Sequence, residues 1–405
     1  MSEDYGTFDL TPVEEIQTRI GKFQEKMGEK GIDLALILQN ADLFYFTGTL
    51  QRGYLCIPQE GEPVFFVQKY YDRAIQESPL PCIKVKGMKA LPNLLRDHGI
   101  RGKQLGLELD VIPVSLFYRI KNLFGNWEAL DISIEIKEIR SIKSAFEIQQ
   151  IKQSGTIIDQ VFPAVREHLR EGMSELELDG ILFSIGRAAG HQGLVRMRGF
   201  NQEMMNAYVL SGGSASIVSF GDTPLCGAGA THAIAQGSSS KKIRRNEPIV
   251  IDYGGGHNGY VTDETRTFVI GELKTHFERA HQVARSIIEN VESSAKPGDL
   301  ATDIYERAKA IAAKERLDPY FMGHGEGQVA FVGHGIGLEV NEWPVIGRGF
   351  RKPLEPAMVF AFEPKFVFPG EGAVGIELDY IVREDGLERV THFPPDIVSV
   401  KNKGQ

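Results

Sequence analysis

Five side chains in the second half of the sequence are of the types that bind divalent metal ions. They are four carboxylates and one imidazole, each in a strand-like or glycine-rich stretch: Asp252, Asp263, His334, Glu363 and Glu377. An isolated carboxylate is costly to remove from water, and a bound cation removes that cost. Oxygen-rich ligand sets with one nitrogen suit Mn²⁺, Co²⁺, Fe²⁺ or Zn²⁺, and the hard oxygen ligands slightly favour Mn²⁺. Two such ions, bridged by carboxylates, could clamp a hydroxide and a substrate carbonyl.

The two aspartates lie in one segment, IVIDYGGGHNGYVTDETRTFVIGE, residues 249–272. We predict that an apolar strand ends at Asp252, that three glycines follow, and that a second strand carries Asp263. If the strands pair as a hairpin, the two carboxylates approach each other, which like charges tolerate only around a cation. Taken alone, each aspartate could equally be a turn residue beside a glycine-rich loop.

The histidine and the two glutamates come from three further motifs. His334 lies between glycines in FVGHGIGLEVNEWP, Glu363 ends the strand-like AMVFAFEP, and Glu377 lies in GIELDYIV on the same face as Asp379. A core histidine or a solvated strand glutamate is a common alternative for each residue by itself. Five ligand-type residues in one half of the chain together favour a metal site, with Asp379 either supporting a ligand or solvated.

These motifs resemble those of the metallopeptidase family with the pita-bread fold, which includes prolidase, aminopeptidase P, methionine aminopeptidase and creatinase. The similar blocks are IDYGG…TDETRT, GHGIGLE, FEP and the GIE strand, with the two aspartates 11 residues apart. ALILQNADLFYFTG resembles the start of the small domain in the prolidase–creatinase branch, and EIRSIKSAFEIQQIKQSG resembles the linker and first catalytic helix. Methionine aminopeptidases usually lack the small domain, so the resemblance favours the other branch.

The resemblance implies a role for each of the five ligands. Asp252 would chelate one metal ion, Asp263 and Glu377 would bridge two ions, and His334 and Glu363 would bind the other. Glu363 would also act on the proton of the bridging water, first as general base and then as acid.

The implied activity is that of an Xaa-Pro dipeptidase or Xaa-Pro aminopeptidase, which cleaves the amide bond before proline with a metal-bridging hydroxide. The implied cofactors are two divalent ions, Mn²⁺ or Co²⁺ before Zn²⁺ or Fe²⁺, and the implied substrates are small peptides. His232, in GATHAIAQG, resembles the family histidine that contacts the scissile amide. Three weaker candidates for substrate binding are His324, which could line the pocket, and Arg196 and Arg198, which could hold a substrate carboxylate.

One position departs from the family's pattern. Seven residues after His334, prolidases and aminopeptidases usually place a second histidine, but this sequence reads EVNEWP and has Asn341 there. In that position Asn341 would be a catalytic residue that offers one amide donor to the developing oxyanion, but an asparagine carries neither a transferable proton nor a positive charge. This departure therefore leaves an alternative interpretation, in which the protein is a creatinase-like enzyme or another hydrolase or lyase that acts on a small-molecule C–N bond. A catalytically inactive peptide-binding module is disfavoured because all five ligands are present.

The elements that must position these residues fall into two predicted domains. Residues 1–140 alternate strands and helices and predict an α/β domain, and residues 141–405 predict an α+β, pita-bread catalytic domain with antiparallel pairing. Helices are predicted at 12–31, 114–124, 144–171, 174–190, 275–293 and 299–316. Strands are predicted at 32–38, 54–58, 63–68, 83–85, 104–107, 247–253, 259–263, 265–270, 357–363 and 376–382.

Composition excludes several classes of protein. The chain has 405 residues, 42% of them hydrophobic and 24% charged, with a net charge of −9, which argues against nucleic-acid partners and anionic membranes. No stretch approaches the ~18 apolar residues of a membrane span. Three scattered cysteines and an acidic N-terminal segment, MSEDYGTFDLTPVEE, without a signal-peptide pattern favour the cytoplasm. The small domain implies a homodimer, since relatives that carry it often form one.

Overall fold

The protein divides into two compact units. The structure is a computed structural model that describes residues 9–400; the segment before Asp9, on which part of the localisation prediction depends, lies outside it. One unit runs to Arg140 and includes Gly199–Asn201, and the other consists of Ser141–Arg198 and the chain from Gln202 onward. Within the described residues, no helix has the length and apolar character needed to cross a membrane.

The first unit is built around a six-stranded mixed sheet in the order β4-β3-β2-β1-β5-β6. Strand β1 pairs antiparallel with β2 and parallel with β5, so the unit is α/β, as predicted. Its strands are β1 (Leu34–Ile37), β2 (Gly53–Pro58), β3 (Val64–Val67), β4 (Cys82–Lys84), β5 (Gln104–Leu107) and β6 (Glu128–Asp131). Its helices are α1 (Val13–Lys30), α2 (Asn40–Thr47), α3 (Tyr71–Glu77), α4 (Leu91–Asp97), α5 (Val114–Phe124) and α6 (Ser133–Ser141).

Helix α1 shows why the sequence forms these elements. Ile16, Ile20, Phe23 and Met27 recur at helical spacing, and all four are buried on one face. Gly31 ends the helix in the left-handed conformation, at φ 67°, which glycine adopts without steric cost. The predicted helix at this position is confirmed.

The second unit carries three sheets. A four-stranded sheet has the order β17-β9-β8-β7, a five-stranded sheet has the order β11-β10-β12-β15-β16, and β13 pairs with β14. Its helices are α7 (Ala145–His168), α8 (Glu175–Ala188), α9 (Thr275–Ser294) and α10 (Ala301–Lys314). Its strands are β7 (Ala207–Ser211), β8 (Ile249–His257), β9 (Tyr260–Ile270), β10 (Phe331–Gly335), β11 (Glu342–Gly347), β12 (Val359–Phe362), β13 (Lys365–Phe368), β14 (Gly372–Gly375), β15 (Leu378–Arg383), β16 (Gly386–Arg389) and β17 (Val398–Val400).

Two large hydrophobic cores pack helices against the sheets of this unit, and a smaller one joins Leu210 and Val250 to the β13–β14 pair. One of the two large cores joins helices α7 and α8 to the four-stranded sheet, with Phe162, Ile251 and Phe268 at its centre. The other joins α9 and α10 to the five-stranded sheet and to the β13–β14 pair. Pairing is antiparallel as predicted, apart from β17, which lies parallel to β9. Helices therefore cover one face of each of the two larger sheets.

Two strand predictions around the aspartates are wrong. Strand β8 does not end at Asp252 but continues through the three glycines to His257, and β9 is one strand where two short ones were predicted. The turn falls at Asn258 and Gly259, both with positive φ, as a two-residue hairpin with a type I′ turn requires. Glycine is needed at 255 because a Cβ there would lie 2.7 Å from the Ser154 carbonyl oxygen of α7.

Candidate metal centre

The hairpin of β8 and β9 brings the two aspartates to one face. Asp263 lies opposite Gly254 and Asp252 lies opposite Thr265, so the two carboxylates are diagonal neighbours across the strands. Asp263 is buried and Asp252 is largely buried.

The other three candidates come from the five-stranded sheet. His334 in β10 lies opposite Ala361 in β12, and Glu363 follows the end of β12. Glu377 precedes β15, and its backbone N–H donates to the Thr265 carbonyl at 3.1 Å, which fastens one sheet to the other. All five residues that the sequence singled out for metal binding thus meet where the two sheets face each other.

One part of this cluster has the geometry of a cation site. His334 Nε2 lies 3.6 Å from Glu377 Oε1, 3.8 Å from Glu363 Oε1 and 3.9 Å from Asp263 Oδ2. Ligand atoms of Asp263, His334 and Glu377 all fall within 4.8 Å of one another. Asp263 Oδ1 and Glu377 Oε1 are buried without a hydrogen-bond partner among the described residues. Unpartnered buried oxygens beside an imidazole fit a divalent ion.

A lysine that the sequence analysis did not single out also occupies the centre. Lys365, the first residue of β13, is 1% exposed, and its Nζ lies 2.7 Å from Glu363 Oε2, 2.7 Å from Glu377 Oε2 and 3.1 Å from Asp252 Oδ2. Its position two residues after Glu363 in a strand-like run was the available signal, since alternate strand residues share a face. Its contact with Asp252 and Glu377 depends on the fold.

Burial and neighbouring charges both shift the pKa values of the cluster. With no metal ion bound, burial and the charges of Glu377 and Asp252 raise the pKa of Asp263 well above its ordinary value. Burial also raises the pKa of Glu363, to about 7, against the opposing effect of Lys365. Burial by itself raises the pKa of Glu377, but Lys365 and His334 lower it to about 2. Burial lowers the pKa of Lys365, yet its carboxylate neighbours raise it well above its ordinary value.

Further buried charges lie behind the ligands. Asp379 is fully buried, and its Oδ2 accepts a hydrogen bond of 2.9 Å from the Asp263 backbone N–H. Arg266, also fully buried, donates from Nη1 to the Glu377 carbonyl at 2.6 Å. Asp379 is therefore not solvated, and it contacts the backbone of the candidate ligand Asp263. These bonds fix the backbone of Asp263 and Glu377, and so fix where their side chains start.

The centre forms the floor of a cavity of about 270 Å³. Its walls include the apolar surfaces of Tyr208, Phe331 and Val345, and Asn341. The Asn341 amide binds the backbone of Arg198 through both of its polar atoms: Oδ1 accepts from the N–H at 2.8 Å and Nδ2 donates to the carbonyl at 2.9 Å. Asn341 therefore holds the segment that contributes Met197 and Met204 to the cavity.

The four remaining candidates do not line this cavity. His232 is exposed, within the turn closed by the Ile234 N–H bond to the Thr231 carbonyl. His324 Nε2 lies 2.9 Å from the Ser216 carbonyl oxygen, in a separate cavity of about 10 Å³. Arg198 is buried with Nη1 3.8 Å from Glu339 Oε2, and the Arg196 carbonyl accepts from the Val340 N–H. Substrate roles for these four residues stay predictions.

Comparisons with known proteins agree with the geometry. Residues 149–384 match the model of metallopeptidase family M24, and residues 19–142 match the creatinase/prolidase N-terminal domain. The chain is 28% identical to the Xaa-Pro dipeptidase of Pyrococcus furiosus, over 93% of this chain and 98% of that protein.

Two solved structures share the fold over nearly their whole lengths. The X-Pro aminopeptidase of Thermotoga maritima is 27% identical with a TM-score of 0.79, covering 94% of this chain and 99% of that one. The prolidase of Pyrococcus horikoshii is 26% identical with a TM-score of 0.79, covering 94% of this chain and 100% of that one.

Proposed function

This chain belongs to metallopeptidase family M24, and we propose that it is a metal-dependent Xaa-Pro peptidase, first of all an Xaa-Pro dipeptidase. It combines the creatinase/prolidase N-terminal domain with an M24 catalytic domain of the pita-bread fold. The observation that carries the proposal is the convergence of Asp263, His334 and Glu377 on the floor of a cavity. Relatives that bear the name Xaa-Pro dipeptidase and cover 93% of the chain support the choice of substrate.

The residues of the floor fit a divalent ion, with Mn²⁺ or Co²⁺ the first choices. Asp263, His334, Glu363 and Glu377 would hold it, because His334 Nε2 lies within 3.9 Å of an oxygen of each carboxylate and because Asp263 Oδ1 and Glu377 Oε1 are buried without a partner among the described residues. A divalent ion there polarises an amide carbonyl and lowers the pKa of a water molecule that contacts it. The number of divalent ions that the centre binds depends on whether the Lys365 ammonium stays among the carboxylates.

The chain's own residues would then position the peptide and move the proton. Glu363, with Oε1 turned towards His334, would take a proton from the attacking water and give it to the leaving amine. Tyr208, Phe331 and Val345 offer an apolar wall of the kind that a pyrrolidine ring contacts. Asn341 would keep the adjoining segment in place through its two bonds to the Arg198 backbone.

A second candidate, an Xaa-Pro aminopeptidase, is favoured by the charges around the cavity. Glu203 and Asp222 line it and are exposed, whereas its cationic side chains within the described part of the chain are Lys365 and His334, which face carboxylates. Such a wall suits the free amino group of a longer peptide better than the free carboxylate of a dipeptide.

A peptide digest tests both activities. The protein is stripped with a chelator, reloaded with Mn²⁺ or Co²⁺, and given matched Xaa-Pro and Xaa-Ala peptides of two to five residues, with products identified by mass spectrometry. We expect cleavage of the Xaa-Pro bond only, and its loss in His334→Ala. Cleavage of dipeptides alone indicates the dipeptidase, and cleavage of longer peptides the aminopeptidase. Activity on a small non-peptide C–N bond with every peptide intact would refute the peptidase function.

We further propose that the protein acts in the cytoplasm as a homodimer, on small peptides and without a nucleic-acid partner. Cys56, Cys82 and Cys226 are free thiols, which suits a reducing compartment. The net charge of −9 is unfavourable for binding nucleic acid. Sedimentation velocity would distinguish a dimer from a 45.0 kDa monomer.

A further inference from the structure

The Lys365 ammonium is saturated by three carboxylates of the candidate metal centre. An ammonium has three N–H donors, and the three oxygens within reach belong to Glu363, Glu377 and Asp252, at 2.7, 2.7 and 3.1 Å. Each of these bonds is charge-assisted. The Lys365 ammonium is thus bound within the centre by its carboxylates.

The two shared glutamates divide their oxygens between two cation positions. Glu363 and Glu377 give Oε2 to Lys365, while both Oε1 atoms face His334. The ammonium and a metal ion can therefore occupy the centre together, with the same two carboxylates between them. Of the two aspartates, Asp252 contacts the lysine through Oδ2, whereas Asp263 lies beside His334.

The fold provides a fixed path for the lysine stem. Lys365 pairs with Gly375 across β13 and β14, and a Cβ on Gly375 would lie 2.6 Å from Lys365 Cγ. The missing side chain at Gly375 is what lets the stem cross the strand towards the centre. The Lys365 carbonyl also accepts a bond from the Met322 N–H at 2.8 Å, so the backbone on which the stem begins is held.

From this geometry we propose that the chain binds one divalent ion in place of the two expected from its family resemblance, and that the Lys365 ammonium is the second cation. This inference depends on the proposed metallopeptidase function. A second ion beside Asp252 and Glu377 would have to compete with the ammonium, which already uses Asp252 Oδ2 and Glu377 Oε2. One divalent ion and one ammonium together bring three positive charges to the four carboxylates. A single metal ion therefore leaves no buried carboxylate of the cluster without a cation beside it.

Metal counting tests the inference without relying on turnover. The chelator-stripped protein is titrated with Mn²⁺ by calorimetry and, after desalting, its metal content is measured by elemental analysis. We expect about one ion in the wild type and in Lys365→Arg, which keeps the positive charge. We expect about two ions in Lys365→Ala, which frees the position. Lys143→Ala is the matched control, because Lys143 is also buried and paired, 3.1 Å from Glu342, and should leave the count at one.

The electron paramagnetic resonance spectrum of the Mn²⁺-loaded wild type decides the question even if a variant does not fold. An isolated Mn²⁺ signal at full loading supports one ion, whereas an exchange-coupled pair overturns the inference. Two ions in the wild type would mean that the Lys365 ammonium gives up its position when metal binds. One ion in Lys365→Ala would mean that the lysine is not what excludes a second ion. Either result refutes the inference while peptide cleavage continues. A wild type that binds no ion and cleaves no Xaa-Pro peptide overturns the proposed function as well.

Discussion

At the scale of single residues, Glu363 stands between two cation positions. Its Oε1 lies 3.8 Å from His334 Nε2, and its Oε2 accepts a 2.7 Å bond from Lys365. We expect Glu363→Gln to reduce kcat by ~10² or more, because loss of a positioned general base has an effect of that size. Steady-state kinetics on an Xaa-Pro peptide gives the value, and metal content is measured on the same sample. Unchanged kcat at full metal occupancy would remove Glu363 from the proton transfer.

Asn341 has a positional role that can be separated from the chemistry. Its amide makes two hydrogen bonds to the Arg198 backbone, each worth ~1 kcal/mol net. In Asn341→Ala the cavity segment loses these bonds, so a smaller fraction of the protein is competent to bind. We expect KM to rise about tenfold with kcat within about threefold, which corresponds to the loss of ~1.4 kcal/mol.

The comparison variant for this prediction is Asn341→Asp, which keeps the acceptor for the Arg198 N–H and loses the donor to its carbonyl. Its KM should fall between those of the wild type and Asn341→Ala. A fall in kcat with KM unchanged in Asn341→Ala would instead assign the amide to the transition state, as the sequence analysis proposed.

At the scale of elements, the β8–β9 hairpin works because its glycines let helix α7 lie against it. A Cβ on Gly255 would lie 2.3 Å from Thr262 Oγ1 and 2.7 Å from the Ser154 carbonyl oxygen. We expect Gly255→Ala to lower the free energy of unfolding by ~1–3 kcal/mol, as overpacking of a buried site does. Urea unfolding measures this change, and Mn²⁺ affinity should weaken with it, because both aspartates lie on this hairpin.

Gly180 offers a matched control for this substitution. It lies inside helix α8, and a Cβ there would meet nothing within 4 Å. Gly180→Ala should therefore stabilise the protein by ~0.5–1 kcal/mol, since alanine replaces glycine in a helix interior. Equal destabilisation by the two variants would mean that the contact with α7 does not decide the packing of the hairpin.

At the scale of the whole molecule, metal binding should be coupled to folding. The residues of the floor come from strands far apart in sequence, so the unfolded chain offers no comparable site. Mn²⁺ at 100 times its dissociation constant should then raise the free energy of unfolding by about 2.7 kcal/mol. Thermal unfolding with Mn²⁺ and with chelator measures the shift, and His334→Ala at the same Mn²⁺ concentration should lose most of it. An equal shift in the variant would place the stabilising ion elsewhere.

The sequence by itself determined most of the long helices, several of the strands and the chemical character of the site. Local periodicity predicted helix Val114–Phe124 and strand Gln104–Leu107 with the bounds that the structure has, and the motifs around His334 and Glu363 pointed to the family that the comparisons confirm. Helix and strand periods depend on neighbours in the chain, which is why they can be read from it. The short helix Asn40–Thr47 was not predicted, because it is apolar on most faces and shows no helical stripe.

Only the tertiary structure decided how distant segments share the centre. It carried β8 through its glycines beyond Asp252, because the approach of α7 favours a bare backbone there. It turned the Asn341 amide onto the Arg198 backbone and brought Lys365 between Glu363 and Glu377. Alternation along a strand fixes which face a side chain takes, but not which remote charge it will meet, since that follows from how two sheets pack. The lysine among the carboxylates could therefore be recognised only in the folded chain.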